Sequence, residues 1–125
     1  MEQNLFKALI CDDSILIRKK LKDLLVSNGY SDISEATNGQ EAIDKYKLNR
    51  PNVVFMDIVM PIKTGIDAVK EILDFDKSAK IVMASSSGTK TNLREALESG
   101  AFEFIQKPFE TDKILDILAK LNKEV

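Results

Sequence analysis

Short, mostly apolar runs alternate along this chain with longer stretches in which apolar positions recur about every 3.6 residues. The short runs read as strands: Lys7–Cys11, Ile33–Ala36, Val53–Met56, Ile81–Ala84 and Phe102–Ile105. The periodic stretches read as helices. The first carries Ile17, Leu21, Leu24 and Leu25 on one face, and the second Ala42, Ile43 and Tyr46. The third carries Ile66, Val69 and Leu73, and the fourth Leu93, Ala96 and Leu97. The last has the cleanest stripe, Ile114, Ile117, Leu118 and Leu121.

Boundary signals fall between these elements. Asn38-Gly39-Gln40-Glu41 and Thr64-Gly65-Ile66-Asp67 each place a carboxylate three residues after a capping side chain, an N-terminal helix signature. Gly29 and Gly100 follow their helices as stops, and Pro51 precedes the third strand, where it breaks no ladder. Five strands alternating with five helices predict an α/β fold, a doubly wound parallel sheet covered on both faces with right-handed crossovers. Ligands of such sheets bind beyond the carboxyl ends of the strands.

Composition narrows the classes. At 125 residues the chain is expected to be one domain, 1–125, with no output domain after the last helix. Eighteen basic against twenty acidic residues give a formal charge of -2, so bulk electrostatics do not point to nucleic acid. No apolar run approaches the roughly 20 residues of a membrane span, and no leader is evident at Met1–Asn4, so a cytoplasmic location is expected. Cys11 is the only cysteine and reads as a small buried hydrophobe. There is no histidine. His-ligated metals, Ser-His-Asp triads and phosphohistidine on this chain are thereby excluded.

The chemistry concentrates at strand ends. Asp12-Asp13 closes the first run and Asp57 the third, so neighbouring parallel strands would bring three carboxylates together. Each has a bland reading: acidic residues favour helix N-termini, Ser14 can cap the first helix, and Asp often opens a turn. As a set, with Lys107 at another strand end, they read as an oxygen-ligand Mg²⁺ site beside a phosphate-reading cation. Like charges so placed repel by several kcal/mol unless a divalent cation or a lysine joins them. Met60-Pro61 fixes the chain direction after Asp57, which lets the Val59 carbonyl turn back toward a cation. Asp13, Asp57 and that carbonyl would supply three of six oxygens. Ser85 opens the stretch Ser85-Ser86-Ser87-Gly88-Thr89-Lys90-Thr91, which lacks P-loop spacing; Ser86 and Ser87 read as a solvated turn. The Ser85 hydroxyl, nearest the strand end, can donate to a phosphoryl oxygen. The Lys107-Pro108 bond can be cis, although base rates for any X-Pro bond favour trans.

In order and spacing, Cys11-Asp12-Asp13-Ser14, Ala36-Thr37-Asn38-Gly39-Gln40-Glu41-Ala42, Phe55-Met56-Asp57-Ile58-Val59-Met60-Pro61, Gly100-Ala101 and Lys107-Pro108-Phe109 resemble bacterial two-component response-regulator receiver domains. The resemblance covers essentially the whole chain and is nearest the stand-alone chemotaxis (CheY) type. It implies a flavodoxin-like strand order 2-1-3-4-5. It implies Asp57 as phosphoacceptor from a sensor histidine kinase (CheA-like), and Mg²⁺ held by Asp13, Asp57 and the Val59 carbonyl, with Asp12 acting largely through water. It implies Lys107 on a phosphoryl oxygen, Ser85 as switch hydroxyl and Phe104 as aromatic switch. The output would be a remodelled face of helix four, strand five and helix five. That face would bind a downstream protein such as a flagellar-motor switch protein or a phosphatase. A monomer is expected, with no nucleic-acid or membrane partner. It would be a phosphoacceptor catalysing only its own phosphorylation and dephosphorylation, not an enzyme turning over external substrate. Ser86, Lys63-Thr64 and the hydroxyl-free Phe104 depart from the commonest receiver pattern and bear on the lifetime of the phosphorylated state. Val59, apolar beside the acceptor, is expected to disfavour attacking water.

Other readings remain at this level. A phosphorelay intermediate would pass phosphate to a histidine phosphotransferase. An aspartate-nucleophile phosphatase would want an Asp at Val59. A flavin carrier would want a phosphate loop where Asp12-Asp13 stands. A phosphate-independent binding module would have no use for the acidic set.

Overall fold

Apolar side chains on both faces of the central strands let the sheet carry a helical layer on each side. The computed structural model describes residues 6–85 and 90–123. Its elements run β1 (Lys7–Cys11), α1 (Ile15–Ser27), β2 (Asp32–Ala36), α2 (Gly39–Asn49), β3 (Val53–Asp57), α3 (Gly65–Phe75), β4 (Ile81–Ser85), α4 (Lys90–Glu98), β5 (Glu103–Gln106) and α5 (Thr111–Lys123). All paired strands are parallel, in the order β2-β1-β3-β4-β5. This is the doubly wound, flavodoxin-like arrangement expected above.

Strict alternation along the strands divides the core in two. Leu9, Cys11, Val54, Met56, Ile81 and Met83 pack with Ala42, Ile43, Tyr46, Val69, Ile72 and Ala96 from α2, α3 and α4. Ala8, Ile10, Val53, Phe55, Val82, Ala84 and Ile105 pack with Leu21 and Leu25 of α1 and Ile114, Ile117, Leu118 and Leu121 of α5. Burial pushes the Cys11 thiol well up from its ordinary value, so it is an inert core group.

Strand ends differ from the apolar runs by a residue. β3 includes Asp57, paired with Ala84; β4 includes Ser85, paired with Gln106; β2 starts at Asp32; β5 is shifted to Glu103–Gln106. Backbone hydrogen bonds set ladder ends, and they continue past the last apolar side chain. The α3 stripe centres on Ala68, Val69 and Ile72, with Ile66 and Leu73 flanking it half-buried. Leu97, placed on the buried face of α4 by its spacing, is 52% exposed. Ala96 alone anchors the described part of that face, because only a small residue lies against the sheet there. The Leu93 side chain, Ser86–Thr89 and the first five residues lie outside the described residues.

The capping expectations hold. Ser14, Asn38 and Thr64 accept from the amides of Ile17, Glu41 and Asp67. At the C-termini of α1 and α4, Gly29 (φ 92°) and Gly100 (φ 100°) take left-handed conformations. Their amides donate to Val26 and Leu97, while those of Tyr30 and Ala101 reach back to Leu25 and Ala96, the Schellman closure. The Lys107–Pro108 bond is cis, the less common of the two forms left open by the sequence.

The loop between β3 and α3 is held from two sides. The Gly65 amide donates to the Ile58 carbonyl at 2.9 Å, and the Gly39 amide to the Lys63 carbonyl at 3.1 Å. A Cβ on Gly65 would sit 2.0 Å from the Asp57 carbonyl oxygen, and one on Gly39 2.2 Å from that of Lys63. Between these fixings the Lys63 amide donates to the Pro61 carbonyl at 2.7 Å around Ile62 at φ 68°. This is a γ-turn of the strained positive-φ kind, on a β-branched residue.

Candidate functional site

β1, β3, β4 and β5 all end at one edge of the sheet; β1, β3 and β5 lead to the members of a charged cluster, and β4 lies between β3 and β5. β1 leads directly into Asp12, whose amide donates to the Ala36 carbonyl at 3.0 Å, prolonging the β1–β2 ladder. β3 ends on Asp57, and the Ile58 amide is tied to the Ala84 carbonyl of β4 at 3.1 Å. β4 ends on the buried Ser85, whose carbonyl accepts from the Lys107 amide at 2.9 Å. Register alone thus carries Lys107 toward the aspartates.

The side chains complete the convergence. Carboxylate oxygens of Asp12, Asp13 and Asp57 lie within 4.8 Å of one another. Lys107 Nζ donates to Asp12 Oδ2 at 2.5 Å and lies 3.3 Å from Asp57 Oδ1. Asp12 is 3% and Asp57 9% exposed, whereas Asp13 faces solvent. Asp12 Oδ1 also accepts from the Ser14 amide at 2.9 Å. Ser14 therefore serves both readings at once: its hydroxyl caps α1 and its amide steers a site carboxylate.

One ammonium against three carboxylates leaves the cluster negative. Burial holds the Asp57 carboxyl above its usual range; the Asp12 charge adds to the rise, Lys107 opposes it and Asp13 adds a smaller push. Such a carboxylate is incompletely compensated and is drawn to further positive charge. The donors are hard, anionic oxygens around a site with one solvent-facing member, which suits Mg²⁺ with retained water. Asp12, Asp13 and Asp57 are the residues that would hold it, so the donor set fits the ion.

The other sequence-predicted residues are placed less directly. Val59 lies two residues beyond Asp57 and is 71% exposed. Phe104 is half-buried on β5, packed against the α2–α4 side of the core, on the opposite face from Ile105. Ser86 and Ser87 lie outside the described residues.

Sequence reading missed three features. Arg18, 12% exposed, donates from Nη1 to the Asp12 carbonyl at 2.7 Å and from Nε to Glu35 Oε1 at 3.1 Å. No spacing rule announces that contact. Gly39 and Gly65 read only as members of capping boxes, yet each permits a close backbone approach around the Asp57 loop. Tyr46 read as core, yet its hydroxyl donates to Asp76 Oδ2 at 2.8 Å, joining α2 to the end of α3.

A doubly wound five-stranded sheet with an aspartate trio and a lysine at its carboxyl edge defines a receiver-type domain. The family model described as response regulator receiver domain matches residues 8–119, and the chain belongs to that family. The chain is similar to the chemotaxis protein CheY of Thermotoga maritima, 44% identical over 117 residues, covering 94% of this chain and 98% of the relative. It is also similar to the CheY of Bacillus subtilis, 43% identical, covering 91% and 95%. Among solved structures, the CheX–CheY–BeF₃–Mg²⁺ complex from Borrelia burgdorferi contains a chain matched with a TM-score of 0.87 and 36% identity, over 93% of this chain and 88% of that one. Among the described residues, no helix is long and apolar enough to cross a membrane.

Proposed function

We propose that this receiver is a cytoplasmic, monomeric phosphorylation switch of a chemotaxis pathway, with Asp57 as its phosphoacceptor. The observation that carries the reading is the Asp57 carboxylate, buried at the strand edge with Lys107 3.3 Å away and Asp12 and Asp13 beside it. The chain has no histidine, so the phosphoryl group comes from a partner: a sensor histidine kinase of the CheA-like kind.

In the transfer, an Asp57 oxygen forms the new O–P bond as the N–P bond to the donor imidazole breaks, and the electron pair stays on that nitrogen. The product is an acyl phosphate. Such transfers depend on positioning and charge neutralisation more than on covalent assistance. Lys107, already spanning Asp12 and Asp57, meets a phosphoryl oxygen. Mg²⁺ held by Asp13, Asp57 and the Val59 carbonyl, with Asp12 acting through water, would supply the remaining neutralisation. The Ser85 hydroxyl donates to another phosphoryl oxygen. Phe104, half-buried on an edge strand, follows the shift and changes the face formed by α4, β5 and α5. The solved relative bound to CheX, BeF₃ and Mg²⁺ supports both the ion and a protein-binding output. The names of the relatives support chemotaxis.

The test is phosphotransfer from a ³²P-labelled CheA-like kinase, followed by capture with two candidate partners. Label should move to wild type and not to Asp57→Asn, and the phosphorylated form should retain a flagellar-motor switch protein. Rapid loss of label to a histidine phosphotransferase, without motor-protein binding, would instead assign a phosphorelay role.

A further inference from the structure

Asp12 is nearly fully buried, and three of its polar groups are already accounted for: the amide by Ala36, Oδ1 by the Ser14 amide and Oδ2 by Lys107. Its carbonyl lies beyond the last β1–β3 register pair, Cys11 with Met56. A buried carbonyl without a donor is costly. Arg18 from the second turn of α1 supplies that donor at 2.7 Å. The same guanidinium is fixed by Glu35 of β2 at 3.1 Å, and Lys22 lies 3.6 Å from the other Glu35 oxygen. The Glu35 carbonyl in turn accepts from Lys45 of α2. A planar guanidinium gripped on two edges has little freedom to turn.

The Asp12 carbonyl belongs to the peptide plane that joins Asp12 to Asp13. Fixing that oxygen fixes the plane, and with it the place of the Asp13 Cα from which the Asp13 side chain leaves the backbone. We infer that Arg18, held by Glu35, is a positioning residue for the Asp12-Asp13 pair and sets the affinity of the carboxylate site for Mg²⁺. Nothing in the inference requires Arg18 to touch the ion or the phosphoryl group. The guanidinium charge is offset locally by Glu35, so the effect is geometric more than electrostatic. The inference rests on the reading of Asp12, Asp13 and Asp57 as a Mg²⁺ site.

Mg²⁺ titration by calorimetry, with urea unfolding in EDTA on the same proteins, tests it. The variants are Arg18→Met, the charge-balanced double variant Arg18→Met/Glu35→Gln, and Asp13→Asn. Partners that orient metal ligands are worth roughly 10–100-fold in metal affinity. Both Arg18 variants should therefore raise the Mg²⁺ dissociation constant about tenfold. If charge alone matters, Arg18→Met would bind Mg²⁺ more tightly and the double variant would match wild type, which overturns the inference. If both variants lose urea stability yet keep wild-type affinity within about twofold, Arg18 is only structural and the inference falls as well. Should the single variant fail to fold, the double variant, which removes the guanidinium and its carboxylate together and leaves only the solvent-exposed Lys22 without Glu35, still decides. Failure of the underlying reading shows separately: wild type would then bind no Mg²⁺, or Asp13→Asn would bind it equally well.

Discussion

Asp57 combines burial with two neighbouring carboxylates, and that crowding has a measurable consequence. Ionising Asp57 disfavours the folded state, because burial and Asp12 raise its carboxyl above the unfolded value against the pull of Lys107. The penalty is absent below the unfolded pKa and complete above the raised folded one, so it is fully present only once pH exceeds the latter. Asp57→Asn should therefore stabilise the metal-free protein at neutral pH by on the order of 1 kcal/mol. The gain should shrink as pH falls through the folded Asp57 pKa. Millimolar Mg²⁺ should close the gap from the other side, by stabilising wild type through binding. Urea midpoints in EDTA and in Mg²⁺ across pH check this; a variant less stable than wild type in EDTA would contradict it. At this scale the aspartates and Lys107 were legible because each stands at the end of an apolar run, where topology alone brings them together. Arg18 was not, because its partners are a backbone oxygen and a residue on a different strand, and neither leaves a trace in spacing.

The element that most constrains the site is the loop from β3 to α3. Its backbone passes so close to Gly65 that a methyl group there would meet the Asp57 carbonyl. Gly65→Ala should cost about 3 kcal/mol or more and slow phosphorylation, since relief requires moving the acceptor strand. Ile62→Gly should have the opposite sign. It relieves a positive-φ β-branched residue that is 83% exposed, and should raise stability by about 1 kcal/mol net of the greater chain entropy of glycine. Thermal melts of the two variants side by side check both signs. Farther from the site, the Tyr46 hydroxyl ties α2 to Asp76. The Asp76 carboxyl is held below its usual range by Ser78 first and Tyr46 next. That contribution is present above the unfolded pKa and lost as pH falls through the folded one. Tyr46→Phe should therefore cost about 1–2 kcal/mol at neutral pH and progressively less toward acid, in urea titrations at several pH values. Helix existence and caps were readable from period and boundary residues. The exposure of Leu97 was not, because a stripe defines a face only as well as the sheet beneath it extends. Nor was the γ-turn at Ile62, whose strain is imposed by tertiary hydrogen bonds from Gly39 and Gly65 rather than by local preference.

For the whole molecule, alternation of apolar runs with amphipathic stretches was enough to predict parallel strands with helices on both faces. The strand order followed from family resemblance. The two-sided core confirms the physical basis: successive residues of β1, β3 and β4 belong to opposite layers, so these strands are apolar along their interiors, and their acidic residues stand only at or just beyond the carboxyl ends of β1 and β3. The acidic set is thus confined to one edge, and the account stands or falls on whether that edge forms an acyl phosphate. The most direct measurement is intact mass after incubation with acetyl phosphate, for wild type with Mg²⁺, wild type with EDTA, and Asp57→Asn with Mg²⁺. A gain of about 80 Da in the first sample alone is the predicted result, the signature of a metal-assisted carboxylate nucleophile. An equal gain in the Asp57→Asn sample, or no gain from acetyl phosphate and none from a phosphorylated histidine kinase, would contradict it.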